Sequence, residues 1–93
     1  MTVEKKIIIK HKQGLHARPA ALFVQIANKF ESVISVRKGD QEVNGKSIMG
    51  ILMLAAEKGS QLYIRAEGQD AKKAVEELER LLLGELDDKK EVK

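Results

Sequence analysis

QLYIRAEGQDAKKAVEELERLL, which spans residues 61–82, contains the clearest strand and helix signals of the chain. Its first residues alternate apolar with polar side chains, which is typical of a strand with one buried face. Gly68 turns the chain toward Asp70, a favourable N-cap residue, and Gly84 ends the helix that follows. The apolar side chains of this helix form one stripe: Ala71, Ala74, Val75, Leu78, Leu81 and Leu82. The segment predicts a sheet covered by amphipathic helices.

The same criteria predict the remaining elements. Strands are expected at 3–10, 33–37 and 41–43, with a hairpin turn at Gly39-Asp40 between the last two. One helix is expected from about His16. A second helix is expected over about 47–57, capped by Ser47 and ended by Gly59. The predicted order is βαββαβα. We expect an α+β fold, an open-faced two-layer sandwich with a four-stranded, mainly antiparallel sheet and three helices on one face. One domain is expected over 1–84, followed by a charged, frayed tail over 85–93.

Composition excludes several classes of function. The chain has 93 residues and no cysteine, so it has no disulfide, thiolate metal site or cysteine nucleophile. Only three aromatic residues are present, so a large apolar cofactor pocket is not expected and the prediction is that no cofactor is bound. The longest apolar stretch is too short to cross a membrane. We expect a cytoplasmic protein without membrane insertion.

The positive charge is concentrated in one part of the chain. The net charge is +3, and no carboxylate lies between Glu4 and Glu31, although five lysines and Arg18 do. This stretch favours an anionic ligand. A small basic nucleic-acid-binding module is the alternative interpretation, but stacking aromatic residues are few and no predicted helix carries a basic stripe.

His16 is the strongest candidate for chemistry. It lies at a predicted helix start, where backbone amides and the helix dipole favour a neutral imidazole and a bound anion. Such a ring can accept a phosphoryl group, whose charge would face these amides and Arg18. Gly14 permits a tight loop, and Pro19 is tolerated in the first turn. His11 is interpreted as a surface residue of the first strand, and no metal site is predicted from two histidines without cysteine.

The second predicted helix is apolar almost all round. A two-layer fold buries only one side of it, so we expect some of its apolar side chains to remain exposed and to form a docking surface, among Ile48, Met49, Leu52 and Met53. A phosphate on Ser47 would be tolerated by the helix dipole and would place negative charge beside this surface, where it would disturb a partner. Ser47 is therefore a possible switch.

Two separate segments resemble one family. Gln13-Gly-Leu-His-Ala-Arg-Pro-Ala-Ala21 resembles the active-site signature of HPr, the histidine phosphocarriers of the phosphoenolpyruvate-dependent sugar phosphotransferase system. Lys46-Ser-Ile-Met-Gly-Ile-Leu52 resembles the regulatory-serine segment of many Gram-positive members. The likeness extends to about Leu83 and excludes the tail.

The resemblance implies a role for each matched residue. His16 would accept and donate the phosphoryl group through Nδ1, and Arg18 would stabilise it. The supporting loop would comprise Gly14, Ala17 and Pro19, Ser47 would be the site of ATP-dependent regulatory phosphorylation, and Ile48, Met49 and Leu52 would belong to the docking surface.

The resemblance also implies partners. The family takes phosphoryl groups from enzyme I and passes them to sugar-specific enzyme IIA domains, so the protein would be a stoichiometric carrier and not an enzyme. An HPr kinase/phosphorylase and a catabolite-control transcription factor would act through Ser47. A monomer without direct nucleic-acid binding is expected. A regulatory relative that acts only through Ser47 is disfavoured by the presence of His16.

Overall fold

A computed structural model describes residues 1–84, and the predicted tail at 85–93 lies outside them. The elements follow the predicted order: β1 (Thr2–Ile8), α1 (Ala17–Ala27), β2 (Val33–Lys38), β3 (Gln41–Asn44), α2 (Ile48–Met53), β4 (Gln61–Glu67) and α3 (Ala71–Leu82). None of the helices within residues 1–84 is long and apolar enough to cross a membrane.

The four strands form one antiparallel sheet in the order β1-β4-β2-β3. β4 is central because it pairs with both β1 and β2, and its alternating pattern buries Leu62, Ile64 and Ala66. The short strand β3 closes the sheet at the edge opposite β1. The predicted open-faced α+β sandwich is confirmed.

The core lies between the sheet and the three helices. Phe23 of α1, Ile51 of α2 and Leu78 of α3 are fully buried against the inward-facing strand residues, including Ile34 and Ile64. α1 also packs on α3, and the first turn of α1 lies across a cleft from the C-terminal end of α3. The apolar stripe predicted for α3 is buried along its whole length.

Two predicted boundaries are wrong. β1 ends at Ile8 and not at Lys10. α2 ends at Met53 and not near residue 57, and Gly59 is not its terminator. The chain leaves α2 through Ala55, which has a left-handed backbone with φ of 50°. Alanine seldom adopts this conformation, so its sequence gives no stop signal.

Asp70 stands at the predicted N-cap of α3 but makes no side-chain cap bond. Its carboxylate instead accepts hydrogen bonds from the Ser32 hydroxyl and from the backbone amides of Glu31 and Ser32, at 2.5, 2.9 and 3.0 Å. These bonds lower the pKa of Asp70, and the bond from the Ser32 hydroxyl makes the largest contribution. The Asp70 side chain therefore links α3 to the loop joining α1 to β2, instead of capping α3 as predicted.

Candidate phosphoryl-acceptor site

His16 occupies the N-cap position of α1 in an extended conformation, and its side chain is exposed and makes no capping hydrogen bond. Its carbonyl accepts the first helical bond, from Ala20. The amides of the first turn point out of this end of the helix, where they and the dipole favour negative charge. The imidazole thus remains available beside an anion-favouring helix end.

The loop before His16 is held against the segment that follows α2. Gly14 has φ of 76°, and a Cβ on it would lie 2.5 Å from the Ala56 carbonyl oxygen. That oxygen accepts a hydrogen bond from the Leu15 amide at 2.8 Å, and the Leu15 side chain is buried. A glycine is required here both for the backbone conformation and for this close approach.

A cleft of about 510 Å³ lies beside His16. Three cationic side chains, Lys10, Lys12 and Arg18, are among its lining residues, and none of the described residues that line it is a carboxylate. Such a cleft raises the local concentration of anions. The acid-free stretch recognised in the sequence thus contributes three cations to one site.

The opposite wall of the cleft was missed by sequence reasoning. It comes from the C-terminal end of α3, through Leu81 and Gly84, more than 60 residues from His16. The His11 ring N–H at Nε2 donates to the Leu81 carbonyl oxygen at 3.3 Å. The interpretation of His11 as a surface strand residue is wrong, because the strand ends at Ile8 and His11 turns toward α3. No local pattern signals this pairing.

The other residues of the motif surround the histidine. Ala17 and Arg18 are exposed in the first turn and line a second, shallower depression with His16 and Gln13. Pro19 is buried in the same turn and contributes to the wall of the cleft. Within residues 1–84, no cluster of three or more histidine, aspartate or glutamate side chains could hold a metal ion.

Ser47 is the N-cap of α2, as predicted: its hydroxyl oxygen accepts a hydrogen bond from the Gly50 amide at 3.0 Å. The predicted exposure of the helix is also confirmed. The exposed fractions of Ile48, Met49, Leu52 and Met53 are 41, 66, 37 and 63%. We call these four residues the α2 patch. α1 packs on α2 and the Ala56 carbonyl accepts a hydrogen bond from the Leu15 amide, so the segments that carry His16 and the patch are in direct contact.

Known proteins of one family resemble this chain in sequence and in fold. Residues 3–83 match the family described as PTS HPr component phosphorylation site. The HPr-like protein Crh of Halalkalibacterium halodurans is 51% identical over 76 residues, which are 82% of this chain and 90% of that protein. The crystal structure of phosphocarrier protein HPr from Bacillus anthracis is 48% identical with a TM-score of 0.84, over 87% of this chain and 96% of its own.

A third relative has a different description. The crystal structure of Crh from Bacillus subtilis, described as a catabolite repression protein with a swapped domain in a dimer, is 43% identical. Its TM-score is 0.73, over 89% of this chain and 95% of its own. The match over nearly all of the described residues, with His16 in its anion-favouring cleft, means that the chain belongs to the HPr family of the phosphotransferase system, whose phosphocarriers are carrier proteins and not enzymes.

Proposed function

We propose that His16 accepts a phosphoryl group from enzyme I and passes it to sugar-specific enzyme IIA domains, in the cytoplasm. One observation carries this proposal: an exposed imidazole that makes no capping hydrogen bond stands at the N-terminal end of α1, beside a cleft lined by three cations. A carrier must hold its phosphoryl group in reach of two partners, which an open site permits. Positioning and charge stabilisation are the main requirements of such a transfer.

In the proposed transfer, a bond forms between phosphorus and a ring nitrogen of His16, and the bond between phosphorus and the donor breaks. By family resemblance the nitrogen is Nδ1. The Arg18 guanidinium balances the charge of the transferred group, to which it can donate two parallel hydrogen bonds. Gly14, Ala17 and Pro19 shape the loop and first turn that hold the ring. The acceptor is restored when the second partner removes the phosphoryl group.

Ser47 is the proposed regulatory site. Its position at the N-terminal end of α2, next to the exposed Ile48 and Met49, supports this role. A phosphate would add nearly two negative charges at the edge of the α2 patch and would oppose the docking of enzyme I. We propose that an HPr kinase/phosphorylase modifies Ser47 and that a catabolite-control transcription factor reads the product. A monomer stays a prediction, because the Bacillus subtilis Crh structure is a dimer.

Regulation through Ser47 alone is the second candidate function. It is favoured by the 51% identity with an HPr-like protein Crh and by the description of Bacillus subtilis Crh as a catabolite repression protein. The presence of His16 and Arg18 in one basic cleft favours the carrier instead. The nucleic-acid-binding alternative has no support from the family match.

Incubation with phosphoenolpyruvate and enzyme I separates these functions. The carrier acquires a phosphate that is labile to acid and stable to base, and His16→Ala abolishes it. His11→Ala is the matched control, because it removes the other histidine of the cleft and leaves the acceptor; it should still be labelled. A wild-type chain that is not labelled by competent enzyme I, but is phosphorylated on Ser47 by a kinase with ATP, would favour the regulator.

A further inference from the structure

The short helix α2 needs support at its C-terminal end. It has six residues, and isolated helices of this length are not stable in water. Ser47 caps its N-terminal end, but the carbonyl groups at the other end also require donors. Side chains of the β2–β3 hairpin supply them. Gln41 Nε2 donates to the Met53 carbonyl oxygen at 3.3 Å.

Lys38 makes the larger contribution. Its ammonium group donates to the carbonyl oxygens of Leu54 and Ala55, at 2.9 and 3.2 Å. A cation at this end of a helix also complements the helix dipole. The two bonds span the point where the chain turns through Ala55 with φ of 50°, a conformation that is unfavourable for alanine. The ammonium thus holds the turn that ends the helix.

We propose that Lys38 is a positioning residue that orients α2 and, with it, the α2 patch for the docking of phosphorylated enzyme I. Lys38 is not among the residues that line the cleft beside His16; it acts through the carbonyls of Leu54 and Ala55. Met53, one of the patch residues, is directly joined to the hairpin by Gln41. The docking part of this inference rests on the proposed function, whereas the support of α2 does not.

Hydrogen exchange tests the support of α2. In Lys38→Met the side-chain stem is retained and the donors are lost. The amides of Leu54 and Ala55, which close the last turn, should exchange about tenfold faster, as expected for loss of charged hydrogen bonds. Lys73→Met, on the exposed face of α3, is the matched control for charge. Unchanged exchange, or acceleration shared equally by the α3 amides, would overturn the inference.

Kinetics test the docking role. With enzyme I, the KM of Lys38→Met should rise about fivefold while kcat stays within about twofold, since the reacting group is untouched. Lys38→Arg should restore most of the KM because it can donate to both carbonyls. Gln41→Met, which changes no charge, should raise the KM by a smaller factor.

An unchanged KM in Lys38→Met, or the same rise of the KM in Lys73→Met, would contradict the proposal that Lys38 orients the α2 patch for docking. Failure of the wild-type chain to accept a phosphoryl group would instead contradict the proposed function. In that case the hydrogen-exchange comparison still decides whether Lys38 supports α2.

Discussion

At the scale of single residues, Gly14 is required both for a left-handed backbone and for close approach to Ala56, and substitutions can separate these two contributions to stability. Gly14→Ala should lower the free energy of unfolding by about 3 kcal/mol, because a left-handed alanine costs about 1–2 kcal/mol and its Cβ would collide with the Ala56 carbonyl oxygen. Gly39, with φ of 59° and, apart from its chain neighbours, no atom of residues 1–84 within 4 Å of an added Cβ, is the matched control; Gly39→Ala should cost about 1 kcal/mol. Urea unfolding measures both. Equal losses would show that contact with Ala56 is unimportant.

Arg18 belongs to the same scale. Arg18→Lys keeps the charge in the cleft but loses the planar pair of donors, so phosphorylation of His16 should slow about tenfold. Rapid-quench measurement with phosphorylated enzyme I determines the rate. Lys12→Met, which removes a charge from the cleft wall and no bidentate donor, should have the smaller effect. A larger effect of Lys12→Met would assign phosphate stabilisation to the cleft charge as a whole.

At the scale of the helix α2, the cap and the proposed switch involve the same side chain. Ser47→Ala should lower the free energy of unfolding by about 1 kcal/mol, since it removes the acceptor for the Gly50 amide. Ser47→Asp should retain most of this stability, because aspartate is also an effective N-cap and favours the dipole. Phosphorylation of His16 by enzyme I should nevertheless be slower in Ser47→Asp.

The two measurements together identify the mechanism. Thermal unfolding and the rate of His16 phosphorylation are compared for the same variants. If Ser47→Ala lowers the rate of His16 phosphorylation as much as Ser47→Asp does, the cause would be lost helix structure. An unchanged rate in Ser47→Asp would contradict electrostatic interference.

The helices also show which structural features can be predicted from the local sequence pattern and which cannot. The stripe of α3 and the alternation of β4 predict these elements correctly, because their burial follows from spacing within one segment. The end of α2 was wrongly predicted because Lys38 and Gln41, more than ten residues away, bind the carbonyls at and just after its last residue, and Ala55 carries no stop signal.

The same distinction applies to the site. His16, Arg18 and Gly14 lie in one short motif and were predicted together. The other wall of the cleft is formed by Leu81 and Gly84, and His11 reaches Leu81 across 70 positions. Pattern analysis of a single segment contains no information on which distant segment packs against it.

At the scale of the whole molecule, Asp70 joins the start of α3 to the loop after α1, and this link should make stability depend on pH. The hydrogen bonds from Ser32 and Glu31 favour the carboxylate and lower its pKa in the folded state. A group with a lowered folded-state pKa stabilises the fold above its unfolded-state pKa, about 3.9 for aspartate. The stabilisation is then lost as the pH falls through the folded-state pKa.

Asp70→Asn should therefore lower the urea midpoint at pH 7 and weaken the decline of that midpoint as the pH falls below about 4. Asp40→Asn, in the exposed β2–β3 turn, is the matched control and should leave both nearly unchanged. Urea titrations between pH 7 and pH 2.5 measure the effect. An Asp70→Asn protein with the same acid profile as the wild type would mean that the link is neutral to folding. The expected profile would instead make a single carboxylate responsible for much of the acid sensitivity of the contact between α3 and the α1–β2 loop.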